Sequence, residues 1–323
     1  MTTETGHGMQ PGMAPGIPAP TDHLSFFNLP AFHELTLAEG RIRVQIDHYA
    51  DDRLIGSLVG VVAGDEFVSG FSAPFGGIDL AREIENPAHI LDLVAAACSE
   101  LEGRGIRTIR VDSRPPIYSR AETSMQFALL SNGFRIEAVE LNQHLDLTGF
   151  DTTDQYVQSL GRRVGQRGLR RASAQGLEFR EDSQPNERAD AYEVLRANRE
   201  AKGRPLRLSL DYIENLRTAL PGRVRFFSLL AAGQTCASAV MYLIRPGRWY
   251  VVYWGDAAHR LAQSPMNLLA FKLVEKAMEE GIALVDLGIS SVYGQLNAGL
   301  AQFKEHVGAE SSLRLEFVRR VRP

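Results

Sequence analysis

A Gln-Phe pair occurs twice in the chain, and only one copy is followed by a lysine. The sequence reads QFK at residues 302–304 and QFA at residues 126–128. A fixed ammonium in a poorly solvated site stabilises the charge that grows on a carbonyl oxygen when an amine attacks an ester or thioester. The asymmetry makes Lys304, next to Phe303, the strongest candidate for such chemistry. The alternative is an exposed helix lysine that pairs with a nearby glutamate.

Two aspartates and a tyrosine are further candidates. Asp256 follows a predicted strand in YWGD, and Asp286 lies within the predicted strand ALVDLG. Either carboxylate has the chemistry to accept a proton from an attacking amine. For Asp286 the competing interpretation is a structural side chain that caps the next turn. Tyr293 is a possible additional hydrogen-bond donor.

Arginines cluster in two segments of the second half. The first segment contains Arg163, Arg167 and Arg170, which would share one face of a helix if the segment is helical. The second surrounds a Gly-Arg-Pro turn and contains Arg204 and Arg207. Guanidinium groups bind phosphates through paired N–H donors, so both segments are candidate substrate-binding sites. The alternatives are a solvated helix face and a charged loop.

Composition limits the classes of protein that fit. The 323 residues carry a formal net charge of -4, so any contact with RNA or a diphosphate would come from a local patch. No apolar stretch reaches the roughly 18 residues of a membrane span, and the histidines show no metal-ligand spacing. We therefore expect a cytoplasmic protein without a metal. Residues 1–22, rich in Gly, Pro and Met, predict a disordered tail.

The positioning elements follow the same order in both halves of the chain. Alternating and helical patterns predict three antiparallel strands, a loop, a helix and a strand, then a short helix carrying Gln-Phe, a glycine and a last strand. This duplication predicts an α/β (α+β) protein of two tandem units, each a mixed, mostly antiparallel sheet flanked by helices. We place the units at residues 23–152 and 153–323, with the parallel strand pair of each unit opening into a cleft.

Four segments of the second half resemble the FemAB group of the GNAT superfamily, whose members carry two tandem GNAT-like domains. They are SLGRRVGQRGLRRASAQGLEF, NREAKGRPLRLSLDYIENL, the helix from SPMNLLAF to EEGIALVDLG, and SSVYGQLNAGLAQFKEHVGAE. The resemblance covers residues 155–310. The first half matches only in architecture and in its PFGGI loop.

The resemblance implies transfer of an acyl group to an amine, with the active site in the second unit. In the family, the Phe-Lys pair at the position of Phe303 and Lys304 is implicated in catalysis. An arginine at the position of Arg204 or Arg207 contacts the nucleotide diphosphate of the acceptor. The best-known members transfer amino acids from aminoacyl-tRNA to a peptidoglycan-precursor peptide. The acceptor here would accordingly be an amine, possibly on a UDP-linked molecule, and no cofactor would be needed.

Two alternatives stay open at the level of the sequence. Acetyl-CoA-dependent GNATs carry RxxGxG before the long helix, so that backbone N–H groups hold the pyrophosphate. Here that loop reads HRLAQSPMN, without glycine, which favours aminoacyl-tRNA over acyl-CoA. The first alternative is nevertheless an acyl-CoA-dependent N-acyltransferase in polysaccharide or secondary-metabolite synthesis. The second is a degenerate GNAT pair that only binds its ligand.

Overall fold

The computed structural model describes residues 21–37, 39–161, 165–257 and 265–321. The predicted disordered tail lies outside these ranges, apart from its last two residues. Within the described ranges, no helix is long and apolar enough to cross a membrane.

The first half of the chain contains six strands and three helices among the described residues. After a 3-10 turn at Phe26–Asn28, they are α1 (Pro30–Thr36), β1 (Ile42–Ala50), β2 (Arg53–Ala63), β3 (Glu66–Ser69), β4 (Ile78–Leu80), α2 (Pro87–Gly103), β5 (Thr108–Asp112), α3 (Glu122–Ser131) and β6 (Arg135–Asp146).

The second half opens with helices that have no counterpart in the first. They are α4 (Thr153–Ser159), α5 (Arg167–Ser173), α6 (Pro185–Ala201) and α7 (Leu210–Ala219), with the short strand β7 (Glu178–Glu181) after α5. The repeat then follows as β8 (Val224–Ala231), β9 (Gln234–Arg245), β10 (Arg248–Asp256), α8 (Met266–Glu279), β11 (Leu284–Ile289), the hairpin β12 (Ser291–Val292) and β13 (Gln295–Leu296), α9 (Ala298–His306) and β14 (Glu310–Arg320).

The predicted duplication and fold class are confirmed. Strands β1, β2, β3 and β5 correspond to β8, β9, β10 and β11, with α2 and α8 as the matching helices. Each long helix ends where the sequence indicates: α2 is followed by Gly105 (φ 84°) and α8 by Gly281 (φ 69°). Glycine tolerates this left-handed backbone without a steric penalty, so it stops the helix.

One sheet runs through both halves, because the halves exchange their last strands. The strand order is β1-β2-β3-β5-β14-β6-β11-β10-β9-β8-β7, with β4 paired to β2. Strand β14 of the second half pairs with β5 of the first, while β6 of the first half pairs with β11 of the second. The two exchanged strands also pair with each other in the centre. The predicted division at residue 152 is thus a division in sequence, and the sheet continues across it.

The second half of the sheet is covered on both faces. Successive residues of a strand point to opposite faces, and Phe226 and Phe227 of β8 accordingly join different cores. On one face, which we call the α8 face, α4, α5, α8 and α9 pack over Trp249 and its neighbours. On the other, the α6 face, α6, α7 and the aromatic residues near the 3-10 turn cover the strands.

Candidate functional site

The parallel strands β10 and β11 part after three residue pairs. They pair from Arg248 with Leu284 to Tyr250 with Asp286, and β10 then continues to Asp256 without β11 beside it. Gly288 turns β11 away with φ 74°, and a Cβ there would come within 3.3 Å of the Tyr250 hydroxyl oxygen. The predicted opening of the sheet is therefore present in the second half. We call this opening the fork.

Lys304 lies at the fork and is 1% exposed. Its Nζ donates to the carbonyl oxygens of Gly288, at 2.7 Å, and Ile289, at 3.1 Å. Burial lowers the pKa of Lys304 to about 7, although the negative charge of Asp286 acts in the opposite direction. The alternative of an exposed lysine paired with a glutamate is wrong for this residue. Two of its three N–H groups have acceptors, which leaves one for a ligand.

Helix α9 holds this lysine in place. Asn297 caps its first turn by accepting from the amide of Leu300 at 3.2 Å. The side-chain amide of Gln143, on β6, donates to the carbonyl of Ala301 at 3.2 Å. Phe303 is partly buried and packs edge-on against Trp254, with ring centroids 5.3 Å apart. Phe303 thus positions the helix against β10, whereas the ammonium of its neighbour reaches the fork.

Asp286 is a fully buried carboxylate in the centre of β11. It accepts from the Tyr118 hydroxyl at 2.8 Å, the Asn142 amide at 2.9 Å and the backbone N–H of Gly288 at 2.8 Å. Burial raises its pKa, and these hydrogen bonds act against that rise. The last contact is the turn cap that the sequence suggested. The network also joins β6, β11 and the loop before α3, so Asp286 fixes the backbone whose carbonyls bind Lys304.

A pocket of about 620 Å³ lies on the α6 face at the fork. Its lining includes Tyr250, Val252, Tyr253 and Ile289, and the carbonyl oxygen of Ile289 also accepts from the ammonium of Lys304. Its remaining walls come from both halves: Phe27, Phe32, Ser72, Ala73, Pro74, Asp112, Ala138, Glu140, Arg207, Leu208, Tyr212, Tyr242, Tyr293, Arg314, Leu315 and Glu316. We call this the central pocket. Its size is typical of a site for a small organic ligand.

The second predicted arginine segment borders the central pocket. Arg207 lines it, and the backbone N–H of Arg207 donates to the Tyr253 hydroxyl at 3.3 Å. The positive charges of Arg204 and Arg207 lower the pKa of Arg199, after the larger effect of its own burial. Arg199 lies over the Tyr253 ring, 5.9 Å from its centroid. The three guanidinium groups therefore produce a positive potential at one side of the pocket.

Asp112 is a site residue that we did not predict. It ends β5, lines the central pocket and pairs in register with Glu316 of the exchanged strand β14. Burial and the charge of Glu316 raise the pKa of Asp112 to about 7. The repeat itself held the signal, because Val111-Asp112 in one copy matches Val285-Asp286 in the other.

The remaining predicted residues occupy different places. Asp256 is buried at the end of β10, where its Oδ1 accepts from Asn198 at 3.1 Å, and it is not part of the central pocket lining. Tyr293 is at the tip of the β12–β13 hairpin, 90% exposed, at the rim of the pocket. The roles of both residues stay predictions.

Only part of the first arginine segment lies within the described residues. Arg163 lies outside the described residues, and α4 and α5 precede and follow it in the sequence. Arg167 and Arg170 are exposed on α5. Helix α5 contacts α8 so closely that a Cβ on Gly168 would come within 2.8 Å of the side-chain nitrogen of Asn267. These arginines therefore lie beside the start of α8. Most of the preceding glycine-free loop, residues 258–264, is also outside the described ranges.

Within the described ranges, no cluster of three or more His, Cys, Asp or Glu side chains could hold a metal ion.

Comparisons with known proteins agree with this architecture. Residues 160–305 match a family model described as an acetyltransferase (GNAT) domain. The fold is similar to the crystal structure of FemX, with a TM-score of 0.68 and 13% identity over 91% of this chain and 92% of that one. No curated protein matches the sequence.

Two further solved structures share the fold. One is the C-terminal domain of a protein described as a possible lysylphosphatidylglycerol synthetase from Agrobacterium fabrum, with a TM-score of 0.56 and 15% identity over 85% of this chain and 84% of that one. The other is a conserved protein of unknown function from Bacteroides thetaiotaomicron, with a TM-score of 0.57 and 11% identity over 93% and 91%.

The GNAT-like fold and the match of residues 160–305 to an acetyltransferase domain support an acyltransferase. The fold also has the two tandem GNAT-like units that the sequence segments indicated. This class argues against the alternative of a pair of units that only binds a ligand, and the buried lysine is consistent with it.

Proposed function

We propose that the protein forms an amide bond by transferring an aminoacyl group from aminoacyl-tRNA to the amine of an acceptor carried on a nucleotide diphosphate. A peptidoglycan-precursor peptide is the acceptor that the family resemblance suggests. Such a donor and acceptor would place the reaction in the cytoplasm, and the reaction would need no cofactor.

The buried ammonium of Lys304 is the observation that carries the proposal. The acceptor nitrogen attacks the carbonyl carbon of the aminoacyl ester, and the carbonyl oxygen becomes negatively charged. The N–H of Lys304 that has no carbonyl acceptor is available to donate to this oxygen. A donor in a site that excludes water stabilises the charge more strongly than one in bulk solvent. When the bond to the ribose oxygen breaks, the amide is left and the ribose hydroxyl takes up a proton.

The central pocket supplies the acceptor side of the proposed reaction. Arg204 and Arg207 would bind the diphosphate at one wall, and the acceptor chain would cross the pocket to the fork. Asp112 would take the proton that the amine loses, because its pKa of about 7 makes it a base matched to neutral pH. The protonated Asp112 would then donate this proton to the leaving ribose oxygen, so the proton that the amine loses ends on the ribose hydroxyl.

The α8 face would hold the donor. Arg167 and Arg170 are exposed beside the start of α8, where RNA phosphates would meet two guanidinium groups that have no carboxylate partner among the described residues. The acyl end would enter the fork from this face and meet the acceptor amine coming from the other.

Acyl-CoA is the second candidate donor, and the match of residues 160–305 to an acetyltransferase domain favours it. The glycine-free loop before α8, HRLAQSPMN, favours aminoacyl-tRNA as the donor. The experiment therefore compares the two donors in parallel reactions. Purified protein is given a UDP-linked peptide that ends in a lysine amine, with either radiolabelled pooled aminoacyl-tRNA or radiolabelled acetyl-CoA, and the labelled amide is quantified.

We expect the parent protein to form labelled amide from aminoacyl-tRNA. The Lys304→Met variant should lose this labelling, and the Lys272→Met variant should keep it. Lys272 is a suitable control because it lies on α8 and pairs with Glu275 at 2.6 Å, away from the fork. Label from acetyl-CoA alone would replace the proposed donor with the second candidate. Equal labelling by the parent and Lys304→Met would contradict the proposed chemistry.

A further inference from the structure

A second cavity, of about 400 Å³, lies at the closed end of the β10–β11 pair. The β9–β10 turn forms one wall, where Arg248 still pairs with Leu284. The opposite wall comes from the first half of the chain, after β4 and before α3. Its lining includes Arg82, Tyr118, Ser119, Arg223, Arg245 and Arg248. We call this the arginine cavity.

Three of its arginines have nitrogen atoms that are buried without a hydrogen-bond acceptor among the described residues. They are Nη1 of Arg223, Nε of Arg245 and Nε of Arg248. A buried donor that lacks an acceptor costs about 1–3 kcal/mol, and more when the group is charged. Such groups are rare in folded proteins unless a bound ion or ligand completes them.

Arg223 is the most incompletely paired of the three. No carboxylate contributes to its pKa, which burial alone lowers. By contrast, Arg245 donates to Asp79 Oδ1 at 2.7 Å and to the carbonyl of His23 at 3.0 Å. Asp79 is itself shared with the buried Arg114. The buried carboxylates of this region, Asp79 and Glu122, both pair with Arg114, and Asp79 also pairs with Arg245. Among the described residues, no carboxylate pairs with Arg223.

The remaining acids do not neutralise the cavity. Asp22 and Glu83 line it but are exposed, so water screens their charges. Burial acts to raise the pKa of Asp146, at the end of β6, but the hydrogen bonds from Thr148 and the charges of His144 and Arg248 lower it overall. The inner wall is left with an excess of positive charge.

We propose that the arginine cavity binds a small phosphorylated molecule, whose phosphate oxygens accept from Arg223 and Arg248. Guanidinium groups present paired N–H donors that match phosphate geometry. The volume is enough for a diphosphate or a nucleotide fragment, since small-ligand sites occupy about 300–1,000 Å³. The Ser119 hydroxyl and the rim residue Arg82 add further donors.

The arginine cavity is distinct from the central pocket. The linings of the two sites share no residue. The buried Tyr118 lines the cavity, and its hydroxyl donates to Asp286, which holds the backbone at the fork. A ligand in the cavity would therefore contact the residue that anchors Asp286 without entering the reaction site.

Isothermal titration calorimetry with inorganic pyrophosphate tests the proposal, using the parent, Arg223→Gln, Arg248→Gln and Arg207→Gln. The Arg207→Gln variant removes one positive charge from the central pocket, so it should weaken pyrophosphate binding there and leave binding in the arginine cavity unchanged. We expect the parent and Arg207→Gln to share a site that Arg223→Gln and Arg248→Gln each weaken at least about tenfold, the effect of losing one charge-assisted contact. Affinity at that site should fall as salt rises.

Thermal unfolding supplies a second measurement that does not depend on activity. Because Arg223 is half-buried and unpaired, Arg223→Gln should fold and melt at or above the temperature of the parent without ligand. Pyrophosphate should raise the melting temperature of the parent and of Arg207→Gln, and not that of Arg223→Gln.

Three results would overturn the inference. The first is a parent that binds neither pyrophosphate nor ADP at millimolar concentration. The second is unchanged affinity in both Arg223→Gln and Arg248→Gln. The third is a site that takes only single-stranded RNA, because the cavity would then be part of a nucleic-acid surface and not a small-molecule site.

Discussion

Replacing Lys304 with methionine tests the central chemical argument. The change keeps the length of the side chain and removes its charge. In the structure, Gly288 and Ile289 occupy two of the three N–H groups, so one donor is lost to the reacting carbonyl oxygen. Removal of one oxyanion donor lowers turnover by about 10²–10³, or about 2.7–4 kcal/mol in the barrier. We therefore expect that loss in the rate of amide formation, with substrate affinity nearly unchanged.

The assay is a single-turnover measurement of amide formation with whichever donor the parallel reactions identify, compared with Lys272→Met as the matched control. Lys304→Arg should recover only part of the rate, because a wide planar guanidinium does not fit the place of a compact ammonium. A Lys304→Met enzyme with the rate of the parent would refute the catalytic role.

The pH profile gives an independent check. Burial holds the pKa of Lys304 at about 7, and the proposed role needs the protonated form, so the rate should fall as pH rises above about 7. This alkaline fall should be absent from the residual activity of Lys304→Met. A parent that keeps its rate well above pH 8 would contradict the assignment.

Lys304 should also make the free energy of unfolding depend on pH, in the direction opposite to its effect on the reaction rate. The folded pKa lies below the ordinary lysine value of 10.5, so the unfolded chain binds more protons between about pH 7 and 10.5. Unfolding free energy should therefore rise with pH across this window. Chemical denaturation at several pH values should show this rise in the parent and a smaller one in Lys304→Met.

Further predictions concern the base, the donor surface and the exchanged strand. Asp112→Asn should remove the acidic limb of the rate profile, below about pH 7, and slow transfer about 10²-fold or more, measured by the same assay. The double change Arg167→Gln and Arg170→Gln should weaken donor binding and flatten its salt dependence without lowering the melting temperature, whereas unchanged donor affinity would show a merely solvated face. Phe317→Ala, at a fully buried position of β14, should cost about 3–5 kcal/mol by chemical denaturation; a cost under about 1 kcal/mol would mean that the exchanged strand contributes little.

Much of the architecture could be predicted because hydrophobic patterning is local. The alternation in RIRVQIDHY and the helical spacing between Ile90 and Leu101 each depend on a few adjacent residues. The exchange of β6 and β14 could not be predicted in this way, because both strands have suitable faces for either sheet edge. Pairing between strands far apart in sequence depends on the whole fold.

The candidate site could also be predicted only in part from local sequence. The asymmetry between residues 128 and 304 indicated the lysine, but its burial depends on the turn that Gly288 makes at the fork. Asp112 resembles any aspartate at the end of a strand until the fold buries it and places Glu316, from the other half, beside it, and both effects raise its pKa. The unpaired state of Arg223 likewise results from which carboxylates the fold places near it.

The strand exchange has a consequence for how the chain is made. Arg110 of β5 donates to Glu316 of β14, 206 residues further along. While the ribosome is still producing the second half, the edge of β5 has no neighbour, and an unpaired edge invites association with other chains. We expect the nascent first half to depend on chaperones, or on rapid completion of synthesis, until β14 emerges and closes the sheet.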